Sequence, residues 1–147
     1  MKNPFEFTRQ SFLEFVKGVD ETTADTKLEN FNNTIHWQVG HVLVSAEGFL
    51  FGNESQHLPA HYQELFATGT KPADWKDNVP TLHELIKHLE DQYVRISELS
   101  DEFLKQALPF ELPFGNFKTY EDLYFLSIHH EAMHLGQMQA MKKMINA

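Results

Sequence analysis

The chain has 147 residues with 12 basic and 21 acidic side chains, a formal charge of −9 with neutral histidines, and this length suits one domain spanning residues 1–147. Its 41% hydrophobic and 13% aromatic residues supply one core and set it apart from disordered sequences. The acidic balance argues against nucleic acid and anionic lipid as partners, no apolar run nears the ~20 residues that span a bilayer, and zero cysteines exclude disulfides and thiolate chemistry.

Any transition metal must therefore be held by His, Asp or Glu. The first ten residues, MKNPFEFTRQ, show neither a basic nor an apolar signal region, so we expect a soluble, unprocessed chain in the cytoplasm.

Apolar positions repeat every three to four residues with no sustained alternation, which predicts an all-α fold. A first helix follows Pro4, carries Phe5, Phe12, Phe15, Val16 and Val19, and ends in the polar run Asp20 to Asp25. A second runs from about Asn33 to Phe51 through Ile35, Val39, Val42, Ala46 and Phe49, with Asn32 or Asn33 as its N-cap and Gly52-Asn53 as its stop. Pro59, Gly69, Pro72 and Pro80 break residues 53–80 into a connection with one short helix over Pro59 to Ala67. Thr81-Leu82-His83-Glu84 reads as a capping box opening a third helix through Leu85, Leu89, Tyr93, Ile96 and Leu99. Pro109, Pro113 and Gly115 interrupt residues 105–118, after which Thr119 caps a last helix from about Tyr120 to Ile145. Four long helices predict a four-helix bundle with its chemistry facing the interior.

The last helix carries the densest chemistry. His130 and His134 are four apart, a turn of about 400° with ~6 Å of rise, so both rings reach one side. They lie on the stripe Leu123, Ser127, His130, His134, Gln137, Met141, expected to point into the bundle. Helix two offers His41 as a third ligand, flanked by Gln38 and Ser45, with Gly40 permitting close approach of another helix. Three imidazoles suit one divalent ion, Zn²⁺, Ni²⁺ or Fe²⁺, and leave a coordination position open. Against this stands the ordinary reading of such histidines as surface or hydrogen-bonded core residues. His36, His57, His61, His83, His88 and His129 are read as surface or supporting residues, although His57 and His61 share the i,i+4 spacing around Pro59.

His130-Glu131-Ala132-Met133-His134 also spells H-E-x-x-H, the zinc-protease signature. The 13 residues after His134 hold no His, Asp or Glu to act as a third ligand, which argues against a protease. Glu131 still stands beside a ligand as a candidate catalytic base, with a supporting or surface carboxylate as the competing reading. Glu131-x-x-His134 and Glu54-x-x-His57 resemble half of a di-iron set, but the second lies beyond Gly52 in a loop, so one metal is expected. Met133, Met138, Met141 and Met144 read as core or interface packing, with a pocket lining as the alternative.

Together, Asn33-Thr34-Ile35-His36-Trp37-Gln38-Val39-Gly40-His41, Pro59-Ala60-His61-Tyr62-Gln63-Glu64-Leu65-Phe66 and His130-Glu131-Ala132-Met133-His134-Leu135-Gly136-Gln137 resemble, in order and spacing, the DinB/YfiT-like family of metal-dependent enzymes. The resemblance implies an up-down-down-up four-helix bundle, a His₃ site for a divalent cation at His41, His130 and His134, and a homodimer. Some relatives resemble transferases or isomerases that use a low-molecular-weight thiol. The expected function is a metal-dependent hydrolase or thiol-dependent transferase acting on a small molecule through an activated water or thiol, which Gln137 or Ser45 would orient. The alternative is a non-enzymatic bundle that binds a metal or small molecule.

Overall fold

Short polar side chains at the helix starts decide where the long elements begin. The computed structural model describes residues 3–52 and 55–147. Helix α1 (Asn3–Lys17) is followed by a short α2 (Glu21–Ala24), capped by Asp20, whose carboxylate accepts from the Thr23 amide at 2.7 Å. In α3 (Ile35–Phe51) the cap is Thr34, whose hydroxyl accepts from the Trp37 amide. The expected Asn33 cap is displaced because its side chain accepts instead from the Gln38 amide group. Gly52, with φ of 86°, ends α3 in a conformation that side chains with a Cβ disfavour.

The connection holds α4 (Tyr62–Phe66) and a 3₁₀ turn over Pro72–Asp74. Helix α5 (Leu82–Ser97) starts at Thr81, which accepts from the Glu84 amide at 3.1 Å. Only this half of the expected capping box forms among the described residues, while the Leu82 amide donates to the Glu21 carboxylate at 2.8 Å. After α6 (Asp101–Leu104), helix α7 (Tyr120–Ile145) opens with a complete capping box between Thr119 and Asp122. Among the described residues the regular elements are all helical, with one isolated bridge between Ala107 and Thr119. No helix among them is long and apolar enough to cross a membrane.

Cross-helix pairs give the directions of the four long helices. Gln38 meets Met141 and His134 while Phe49 meets His130, so α3 and α7 are antiparallel. Phe5 meets Tyr124 and Arg9 meets Glu131, so α1 and α7 run parallel. His36 reaches the Pro80 carbonyl at the start of α5 while Glu47 meets Arg95, so α3 and α5 also run parallel.

The core divides into two apolar clusters. The larger contains Phe12, Val16, Ile35, Val39, Phe66, Leu85, Leu89 and Met141; the smaller contains Phe5, Leu50, Ile96, Leu104, Leu123 and Tyr124. At the level where they part, a polar chain crosses the bundle. Arg9, with 0% of its surface exposed, donates from Nε and Nη2 to the two Glu131 oxygens at 2.9 Å each, from Nη1 to the Leu89 carbonyl and from Nη2 to Gln92. Gln92 donates to Glu47, which pairs with Arg95 and accepts from Ser55. Buried charges persist only when paired and fully hydrogen-bonded, and no buried side-chain nitrogen or oxygen among the described residues lacks a partner.

Candidate metal centre

Two helices deliver three imidazoles to one point. Nε2 of His130 lies 3.2 Å from Nε2 of His41 and 3.2 Å from Nε2 of His134. The orientation is imposed from behind. His41 donates its Nδ1 proton to the Phe66 carbonyl at 2.8 Å, and His134 Nδ1 faces the Gln38 side-chain oxygen at 2.8 Å. Both acceptors require a proton on Nδ1, so in the neutral rings the Nε2 lone pairs of His41 and His134 point inward. His130 can offer its Nε2 proton to only one of them, so the other inward lone pair has no donor among the three rings, a place a cation would fill.

The donor set fits such an ion. Three nitrogens at ~2.0–2.1 Å from a tetrahedral ion stand roughly 3.3 Å apart, close to the two separations from His130 Nε2, with all three ligand atoms within 4.8 Å of one another. Burial holds all three imidazoles below the usual histidine range; His130, further depressed by its histidine neighbours, falls to about 3 and His134 to about 4. Neutral rings are the form that binds metal. His41 also stacks on Trp37, with ring centres 4.5 Å apart at 11°, and Trp37 is tied by its indole N–H to Thr70.

Gly40 supplies the space that the site needs, although the element it admits is α4 in the connection. A Cβ at this position would lie 2.2–2.5 Å from the Phe66 ring, so only glycine lets α4 press close enough for the Phe66 carbonyl to meet His41.

Several expectations are corrected. Of the expected stripe, Leu123, Ser127, His134 and Met141 are buried, and Tyr124, Glu131 and Met138 join them because 3.6-residue periodicity carries the face across; Gln137 is exposed and His130 stands at the stripe's edge. Glu131, the candidate base, is 1% exposed and both its oxygens accept from Arg9, an ion pair that ties α1 to α7. Met138 and Met141 are core residues, whereas Met133 and Met144 are 54% and 48% exposed. His36 is buried, bridging Asp25 at 2.7 Å and the Pro80 carbonyl at 2.8 Å, with Glu21 at 4.0 Å. His57, His61, His83 and His129 are exposed, and Glu54 of the second Glu-x-x-His pair lies outside the described residues.

Arg9 was legible in principle, since Phe5, Arg9, Phe12 and Val16 step by four, three and four along one face of α1. The Phe66 carbonyl had no local signal, being 25 residues from His41.

An all-helical bundle bringing three buried or half-buried imidazoles from two antiparallel helices to one point defines a class of helical proteins with a His₃ candidate metal centre. The profile of the DinB superfamily matches residues 4–138, and the chain belongs to that superfamily. No curated protein matches the chain significantly.

Proposed function

We propose that this protein is a metal-dependent catalyst acting on a small molecule, a hydrolase or a thiol-dependent transferase, with His41, His130 and His134 as ligands to one divalent ion, Zn²⁺, Ni²⁺ or Fe²⁺. The observation that carries this reading is the convergence of three Nε2 atoms, two of them fixed by Nδ1 partners. Such an ion, when bound, supplies Lewis acidity that lowers the pKa of a water or thiol at its open positions. The chain's own residues then divide the work. Gln38 and the Phe66 carbonyl fix ring orientation, and Trp37 covers the His41 face. His130, half-buried at the edge of its stripe, stands on the approach from solvent. Absence of cysteine means that a thiol nucleophile arrives with a cosubstrate.

Elemental analysis of protein purified without chelator tests the assignment. Near one equivalent of a first-row metal, lost in His130→Ala, is the expected result; equal metal content in wild type and in His41→Ala, His130→Ala and His134→Ala overturns it. We further infer a homodimer in the cytoplasm; exposed Phe7, Phe114 and Phe125 offer apolar surface for self-association.

A further inference from the structure

Beside the histidines lies a cleft of about 610 Å³, whose walls carry Ser45, Gly48 and Phe49 of α3, Thr68 after α4, Phe110 of the 105–118 connection and Leu123 of α7. Its volume falls within the roughly 300–1,000 Å³ of small-molecule sites. Its position ties it to the candidate metal centre. Ser45 follows His41 by one helical turn, Ala67 in the wall follows the residue whose carbonyl holds His41, and the Phe49 ring lies 6.2 Å from that of His130.

The chemistry of the walls is one-sided. Among the described residues lining the cleft none carries a charge, and the polar groups are the Ser45 and Thr68 hydroxyls and the Gln63 amide. A neighbouring hollow of about 310 Å³ shares Val44, Gly52 and Gln63 with it. The charged residue there is Glu47, whose oxygens are already taken by Arg95, Gln92 and Ser55. Away from the candidate metal centre, an anionic group on a ligand would therefore lose its hydration without meeting a cation, inside a chain of net charge −9.

We infer that the substrate taken by this cleft is an uncharged, largely apolar small molecule with a single polar head directed toward the histidines, not an anionic one such as a carboxylate-bearing thiol. The inference rests on the proposed function, because it treats the cleft as the substrate side of the His₃ site. It narrows the thiol reading to cosubstrates without carboxylates.

A matched pair of dyes tests it on the full-length protein. N-phenyl-1-naphthylamine is uncharged, and 1-anilinonaphthalene-8-sulfonate has a closely similar ring system bearing a sulfonate; both brighten in apolar surroundings. The uncharged dye is expected to bind at one equivalent per chain, ~10-fold or more tighter than the anionic dye. Ser45→Trp, which fills the cleft, is expected to abolish that binding with helical circular dichroism unchanged. Phe110→Lys, at an exposed position in the wall, is expected to raise affinity for the sulfonate dye without requiring any change in the core. Equal or tighter binding of the anionic dye, or binding that survives Ser45→Trp, overturns the inference. Metal content measured on the same samples separates the two readings. One equivalent of metal with no preference for the uncharged dye sinks this inference alone, whereas no metal uptake sinks the proposed function and with it the assignment of the occupant as a substrate.

Discussion

Glu131 and its neighbour His130 differ by about 100° on the helix, and that rotation separates structural from candidate metal-binding chemistry. Glu131 turns to Arg9 in the interior, where removing one partner of a buried ion pair strands the other charge and typically costs about 3–5 kcal/mol. Glu131→Gln is accordingly expected to lower stability in urea denaturation by that order while leaving the metal content near one equivalent. A loss of metal with unchanged stability would instead return the residue to the site. The histidines carry a separate pH signature in the metal-free protein. Their folded pKa values lie below the ordinary 6.5, with His130 at about 3 and His134 at about 4. Between those values and 6.5 the unfolded chain binds more protons than the folded one, so stability is full above about pH 6.5 and falls as pH drops toward 4. The fall should be smaller in a His130→Ala, His134→Ala double variant, as read from denaturation midpoints between pH 4 and 7; identical slopes in both proteins would contradict the burial of these rings as neutral groups.

Among the elements, a short one has the largest consequence for the site. Helix α4 has five residues and no side-chain cap, yet the Phe66 carbonyl at its end orients His41. Its seat depends on Gly40, where any Cβ would meet the Phe66 ring. Overpacking of this kind typically costs about 1–3 kcal/mol. Gly40→Ala is therefore expected to destabilise the protein within that range and also to weaken metal affinity by isothermal titration, because the displaced carbonyl no longer fixes the His41 ring. Destabilisation with unaltered metal affinity would show that α4 supports the fold alone. The long helices were more legible than α4. Thr119 marked the start of α7 and the 3.6-residue pattern carried it to Ile145, because a long helix is specified by its own caps and periodicity. Only the Thr81 half of the α5 capping box forms among the described residues, and the Leu82 amide is satisfied by Glu21, 61 residues away.

The whole molecule is organised around a polar layer between two apolar clusters, with the Arg9, Glu131, Gln92, Glu47 and Arg95 chain crossing it. Such a layer limits how the helices can slide, because any shift leaves buried charges without partners. For the assembled state, sedimentation equilibrium at micromolar concentration is expected to give about twice the 17.1 kDa chain mass, and a monomer at all concentrations would remove the homodimer.

What the sequence determined by itself was the all-helical class, the extents of the long helices and the three candidate ligands, because caps, breakers and i,i+4 spacing act within a few residues of chain. Tertiary structure alone decided which side of α7 faces the interior, that Arg9 claims Glu131, that α4 sits on Gly40, and that Gln38 and Phe66 aim the imidazoles. Those outcomes depend on contacts between residues 25 to 122 positions apart, where competing partners are compared only once the helices pack.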